Sequence, residues 1–158
     1  MTTAAPNDGT DDRAIRPAAR GDLLAVYRIE KTSFPQPWPF AAFEGFLGEP
    51  GFLVATVDGR VVGYVVADTV PNAGRTLGHV KDIAVHPDYR GRGIGAQLLG
   101  SALTVMREKR ASRVKLEVRE SNDSAIRLYR RFGFQFRRTL PRYYDDGEDA
   151  YVLVSELQ

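Results

Sequence analysis

Arg90-Gly91-Arg92-Gly93-Ile94-Gly95 constrains this chain more than any other stretch, because of what flanks it. Before it runs Thr76 to Val85, with strand character, ending at His86-Pro87. After it, Ile94, Leu98, Leu99, Ala102, Leu103 and Met106 recur at the spacing that lines one face of a helix. Glycines at such a strand-to-helix turn let the backbone approach a ligand closely, and the first free N–H groups of the helix point at whatever lies there. The helix dipole adds about half a positive charge at that end, and Arg90 and Arg92 add two whole ones. A pyrophosphate is the guest that suits this turn; a tight β–α connection needing glycine for geometry alone is the other use. The turn lacks the Gly-Lys-Ser/Thr of a Walker loop, and its third glycine is misplaced for a dinucleotide fingerprint.

The remaining runs predict one mixed α/β domain over residues 13–158. Ala14 to Pro17 reads as a short edge strand, and Asp22 as the cap of a helix from Leu23 to Thr32. Ser33 to Pro39 holds three prolines and ends that helix; a second, about Phe40 to Leu47, follows before Gly48. Phe52 to Val57 and Val61 to Val70 are β-type runs joined by Asp58-Gly59, a hairpin signal. Val114, Leu116 and Val118 alternate with Lys115, Glu117 and Arg119, so one face of that strand is buried. Asn122 to Phe132 is a helix closed at Gly133, and Phe134 to Arg138 with Ala150 to Ser155 forms a last antiparallel pair. Residues 1–12 are small, polar and turn-prone, as in a disordered tail.

Composition narrows the chemistry. There is no cysteine and there are two histidines, which excludes disulfides, thiolate nucleophiles and sulfur-based zinc sites and leaves no expected metal. A net charge of +2 gives no reason to expect nucleic acid or a membrane surface as partner. No run approaches the roughly 20 apolar residues of a membrane span, and the polar start carries no signal-peptide core, so a cytoplasmic location is expected. Nothing in the sequence sets an oligomeric state.

Four motifs in order carry a resemblance over nearly everything after residue 13. His79 to Arg90 (HVKDIAVHPDYR) resembles the fourth strand and the start of the coenzyme loop of the GNAT acetyltransferase superfamily. Leu116-Glu117-Val118-Arg119, Ser121-Asn122, Ala125-Ile126, Leu128-Tyr129 and Phe132-Gly133-Phe134 resemble the RimI-like and archaeal protein N-terminal acetyltransferases. Tyr143-Tyr144 before Asp146-Gly147-Glu148-Asp149-Ala150 resembles their substrate-facing hairpin, and Phe34-Pro35 with Trp38 their peptide-binding loop.

The resemblance implies a mostly antiparallel sheet splayed between strands 4 and 5 and flanked by about four helices. It also implies acetyl-CoA as co-substrate and direct attack by the substrate amine in a ternary complex. Cofactor contacts are then expected from Ile83, Ala84, Val85, Arg90, Gly91, Arg92, Gly93, Ile94, Gly95, Asn122 and Tyr129. Glu117 is the expected general base, directly or through water, and Tyr129 the expected general acid to the thiolate. His79 is a third candidate for moving protons, equally readable as an inert surface residue. Phe34, Pro35, Trp38, Tyr143 and Tyr144 are expected to line the peptide groove, while Asp145, Asp146, Glu148 and Asp149 read as a solvated, charged loop.

Protein N-termini, a ribosomal protein among them, are the implied substrates. An α-amine has a pKa of about 7.7 to 8.0 against about 10.4 for lysine, so a single carboxylate acting through water is an adequate base for the first only. Some archaeal relatives carry an acidic residue where this chain has Gln36 and Pro37, which leaves the proton work here to Glu117. Alternative readings are a small-molecule amine or lysine acetyltransferase and a silent acetyl-CoA-binding module.

Overall fold

The computed structural model describes residues 12–157. The expectation for residues 1–12 therefore lies outside it, except that the Asp12 carbonyl accepts a hydrogen bond from the Asp58 amide at 2.8 Å. Seven strands form one sheet in the order β1-β2-β3-β4-β5-β7-β6. They are β1 (Arg13–Pro17), β2 (Phe52–Val57), β3 (Arg60–Asn72), β4 (Arg75–Val85), β5 (Arg113–Arg119), β6 (Gln135–Leu140) and β7 (Ala150–Glu156). The helices are α1 (Leu23–Ser33), α2 (Phe40–Gly45), α3 (Ile94–Glu108) and α4 (Asp123–Arg131), with short 3-10 turns at Arg20–Asp22 and Pro87–Tyr89. The element order and mixed α/β class are those expected, and all strand pairs are antiparallel except β4 with β5.

The helices divide between the two faces. On one face α3 buries the whole predicted stripe, Ile94 to Met106, against Leu53, Val65, Val80, Leu116 and Leu153, and α4 joins it through Ile126 and Tyr129. On the other, α1 and α2 pack Leu23, Val26, Ile29 and Phe43 against Phe52, Val54, Tyr64 and Val66. Asp58 and Gly59 take positive φ angles of 51° and 81°, which closes the β2–β3 hairpin in the primed-turn geometry that matches strand twist. Gly133, at φ 87°, ends α4: its amide bonds the Arg130 carbonyl while the Phe134 amide bonds that of Tyr129.

Asp22 does not cap α1 as expected. Its carboxylate takes both terminal nitrogens of Arg16, at 2.7 and 2.9 Å, and the Ala19 amide, because a bidentate guanidinium outcompetes a lone amide. These donors, opposed by burial, hold the Asp22 carboxyl below its usual range.

Two irregularities in β4 shape the site. Val66 faces Asp82 but Ala67 faces Val80, so Lys81 is an extra, bulged residue. The bulge flips the alternation: Val80 packs toward α3, yet so do Ile83 and Val85, while Ala84 packs toward α1 and α2. Pairing of β4 with β5 runs only over Leu77↔Arg113, Gly78↔Val114 and His79↔Lys115. Beyond His79 the two strands splay, as expected. No helix among the described residues is long and apolar enough to cross a membrane.

Candidate active site

The splay opens a cleft of about 920 Å³ that reaches both faces of the sheet. Ile83, Ala84 and Val85 of β4 line it on one side, and Glu117, Val118 and Arg119 of β5 on the other. Gly91, Gly93, Ile94, Gly95 and Ala96 line its α3 end.

That end fits a phosphate group. Gly91 and Gly93 have φ of 79° and 82°, a region that favours glycine, and a Cβ built on either would meet nothing within 4 Å, so the turn leaves open space. The 15-residue α3 presents its unbonded first-turn amides there. The arginines are placed differently from the expectation of two charges aimed at the ligand. Arg90 lines the cleft, held there by hydrogen bonds to the Val85 carbonyl (2.9 Å) and Ser33 Oγ (3.1 Å) that leave its other N–H groups for a ligand. Arg92 lies 4.9 Å over the Tyr89 ring and does not line the cleft. The backbone amides and the helix dipole, with Arg90, are therefore the cradle.

At the root of the splay sits the chemistry. Glu117 lies on the face of β5 opposite the buried Val114, Leu116 and Val118. His79 Nε2 lies 2.8 Å from Glu117 Oε1, and Lys115 Nζ 3.1 Å from Glu117 Oε2. Burial works against the charge on Glu117, but His79 and then Lys115 outweigh it and draw its pKa down to about 2. His79 itself does not line the cleft; it supports Glu117 from behind. Across the splay, Tyr129 of α4 lines the cleft while 6% exposed, its ring edge-on to Phe134. Burial raises the Tyr129 phenol well above its ordinary range, and the negative field of Asp82 and Tyr144 adds to the effect. Asn122 lines the cleft too, but its Oδ1 accepts the Ala125 amide at 3.2 Å and so caps α4.

The side of the cleft toward the α1–α2 loop is aromatic. Phe34, Trp38, Tyr143 and Tyr144 line the cleft; Pro35 does not. Trp38 stacks on Phe46 and leans on Phe43, which seats the loop after α1 on the core. Tyr143 and Tyr144 meet edge to face, and burial raises the Tyr144 phenol to about 12 although Arg119 opposes the shift.

Four contributors escaped the sequence reading. Arg119 bonds Asp146 and Glu148 at 2.8 and 2.9 Å, reaches Gln36 at 3.3 Å and covers the Tyr144 ring at 4.1 Å. Asp146 and Glu148 are thus a brace that ties the β6–β7 loop to the α1–α2 loop, and not a free, solvated pair. Its only forewarning was an arginine beside the predicted base. The others are Glu30, Tyr64 and Asp82, which meet beneath the aromatic loop. A glutamate on the apolar face of α1 was the available signal for them.

The acetyltransferase (GNAT) family profile matches residues 23–134. This chain belongs to the GNAT acetyltransferase family. Among the relatives of this GNAT chain, it is 39% identical over 155 residues to an N-alpha-acetyltransferase of Sulfurisphaera tokodaii, covering 90% of this chain and 92% of that one. The crystal structure of Ard1 from Thermoplasma volcanium superimposes with a TM-score of 0.86 at 34% identity, over 92% of this chain and 98% of that one. That of the ribosomal-protein-S18-alanine N-acetyltransferase from Escherichia coli does so at 0.81 and 29%, over 92% and 94%.

Proposed function

We propose that this acetyltransferase moves the acetyl group of acetyl-CoA to the α-amino group of protein N-termini, with ribosomal proteins among its targets. The observation that carries the reading is the position of the Glu117–His79 pair. It sits where the coenzyme cradle of α3 and the aromatic wall of Phe34, Trp38, Tyr143 and Tyr144 open onto one cleft. Relatives named for N-alpha and ribosomal-protein-alanine acetylation support the choice of amine.

Acetyl-CoA supplies an activated thioester carbonyl. The amides at the start of α3 and the turn through Gly91 and Gly93 bind pyrophosphate, and the free edge of β4 at Ile83, Ala84 and Val85 aligns the pantetheine arm. Aromatic side chains hold the peptide so that its N-terminus reaches Glu117 from the α1–α2 face. The amine loses one proton to the Glu117–His79 pair through a water. Glu117 orients that water, and His79, 2.8 Å from its Oε1, fixes the carboxylate in place as the proton leaves.

Tyr129 keeps its proton at neutral pH and donates a hydrogen bond to the departing sulfur. Complete transfer from so weak an acid to a thiolate, whose ordinary pKa is about 8.5, is uphill. The thiolate therefore takes the one proton that the amine gave up to the Glu117–His79 pair, passed on through water. This assigns Tyr129 stabilisation of the leaving group in place of the full acid role expected from sequence.

The test is coenzyme A release from acetyl-CoA with peptides beginning Ala, Ser and Met-Leu, and with an α-blocked peptide carrying one lysine. Turnover confined to free N-termini is expected. Turnover with the blocked lysine peptide alone, or with none, refutes the assignment.

A further inference from the structure

Glu30 lies on α1 at 2% exposure, yet lines the cleft beneath the peptide loop. No Lys, Arg or His forms an ion pair with it among the described residues: Lys81 faces Asp68, and His79 and Lys115 face Glu117. Its two oxygens are both acceptors. Oε2 takes the backbone N–H of Trp38 at 2.9 Å, and Oε1 takes the hydroxyl proton of Tyr64 in a short hydrogen bond. Tyr64, fully buried on β3, has its hydroxyl oxygen 3.3 Å from Asp82 Oδ2 as well.

A phenol has one proton, and here it is given to Glu30. The contact with Asp82 is a hydrogen bond only if Asp82 brings a proton of its own and donates it to the Tyr64 oxygen. The result is a directed chain, Asp82 to Tyr64 to Glu30, closed by Trp38 donating from the other end. Burial, and then the neighbouring Glu30, push the Asp82 carboxyl well above the usual carboxylate range, against the opposing pull of Tyr64 and the Ile83 amide. The bulge at Lys81 makes the chain possible, because it turns Asp82 to the same face as Tyr64 and Val66.

We propose that Glu30, Tyr64 and Asp82 are positioning residues for the peptide loop: one proton retained between buried Glu30 and half-buried Asp82 holds Glu30 against the Trp38 amide, and so sets how firmly the cleft grips its peptide. The inference rests on the N-terminal acetylation reading. It assigns these residues to peptide KM and not to acetyl-CoA binding or to proton transfer from the amine. The arrangement is pH-sensitive. The charged and titratable groups around Asp82 are Glu30 from α1, Tyr64 from β3 and Tyr129 from α4, with the Ile83 amide and, on the same face, His79 of its own strand, which pairs with Glu117 of β5. The chain is intact while Asp82 keeps its proton, and it is lost as pH rises through the raised pKa of Asp82.

The experiment is steady-state kinetics of the full chain at saturating acetyl-CoA, with a peptide beginning Ala, from about pH 6 to about pH 9, where the α-amine is counted by its own titration. Calorimetry gives acetyl-CoA affinity alongside. Glu30→Gln and Tyr64→Phe are expected to raise peptide KM about tenfold, the value of one charge-assisted hydrogen bond, with kcat and acetyl-CoA affinity close to wild type. Wild-type KM is lowest while Asp82 keeps its proton and rises with pH as that proton is lost. Asp82→Asn, whose amide N–H donates to Tyr64 at every pH, keeps the low KM and removes that rise.

Unchanged KM in Glu30→Gln and Tyr64→Phe overturns the proposal, as does a fall in kcat with KM intact, or a rise with pH that survives in Asp82→Asn. Should Glu30→Gln fail to fold, Tyr64→Phe and Asp82→Asn decide. A wild-type protein that turns over no free N-terminus refutes the underlying reading and this one with it. Normal wild-type turnover with indifferent variants refutes this one alone.

Discussion

Replacing Glu117 with glutamine keeps the shape of the side chain and removes its charge, so the variant imitates the protonated form of the wild type. The wild-type carboxyl falls from an ordinary 4.5 to about 2 because His79 and Lys115 outweigh its burial. A depressed carboxylate pKa adds stability that is present above about pH 4.5 and lost as pH falls toward about 2. At about 1.4 kcal/mol for each pH unit, this amounts to about 3 kcal/mol at neutral pH. Lys115 is 35% exposed and screened by solvent, which lowers the figure to about 2 kcal/mol. Urea denaturation at pH 7, 5, 4 and 3 reads it directly. The variant is expected to be less stable by that amount at pH 7 and 5, with the gap narrowing below about pH 4.5. In the same preparation kcat falls by about 10²-fold or more, and acetyl-CoA affinity is unchanged. A stability gap that is the same at pH 7 and pH 3 refutes the pairing, and an unaltered kcat removes Glu117 from the proton path.

Three further substitutions separate the parts of the site. Tyr129→Phe removes one donor to the leaving sulfur, so kcat drops about 10²-fold with both KM values held; a wild-type rate makes Tyr129 a packing residue. Gly93→Val forces a branched side chain to φ 82° and into the phosphate space. By calorimetry acetyl-CoA affinity is expected to fall about 100-fold, the equivalent of two hydrogen bonds to charge, and retained affinity would move the phosphate site elsewhere. Arg119→Met unties Asp146 and Glu148 from Gln36, and peptide KM is expected to rise about threefold to tenfold at constant acetyl-CoA affinity; an unchanged KM would show that the brace has no part in peptide binding.

Elements set by local energies were legible in the sequence. The α3 stripe, the β5 alternation, the Asp58-Gly59 turn and the Gly133 cap each depend on residues within one or two turns of each other, and each stands where expected. Asp22 was misread because its competitor, Arg16, binds across the β1–α1 connection, and no N-cap rule contains that term. The bulge at Lys81 left no mark, since neither glycine nor proline stands there and the excess residue exists only relative to β3. The Glu30–Tyr64–Asp82 chain was hidden for the same reason: its members come from three elements and meet only when the register of β3 and β4 is known.

That single extra residue explains why the site can face both ways. In a regular strand His79 and Asp82, three residues apart, would point to opposite faces. With Lys81 bulged, both turn toward α1, where the peptide loop and Glu117 lie, while Ile83 and Val85 turn to α3 and support the coenzyme side. The same bend ends hydrogen bonding to β5 just after His79, so the strand frees its backbone where a pantetheine arm needs partners. On the proposed function, peptide and coenzyme therefore approach from opposite faces and meet in the gap between β4 and β5. The reacting groups are held by strands packed on two cores, and neither partner has to pass the other to leave.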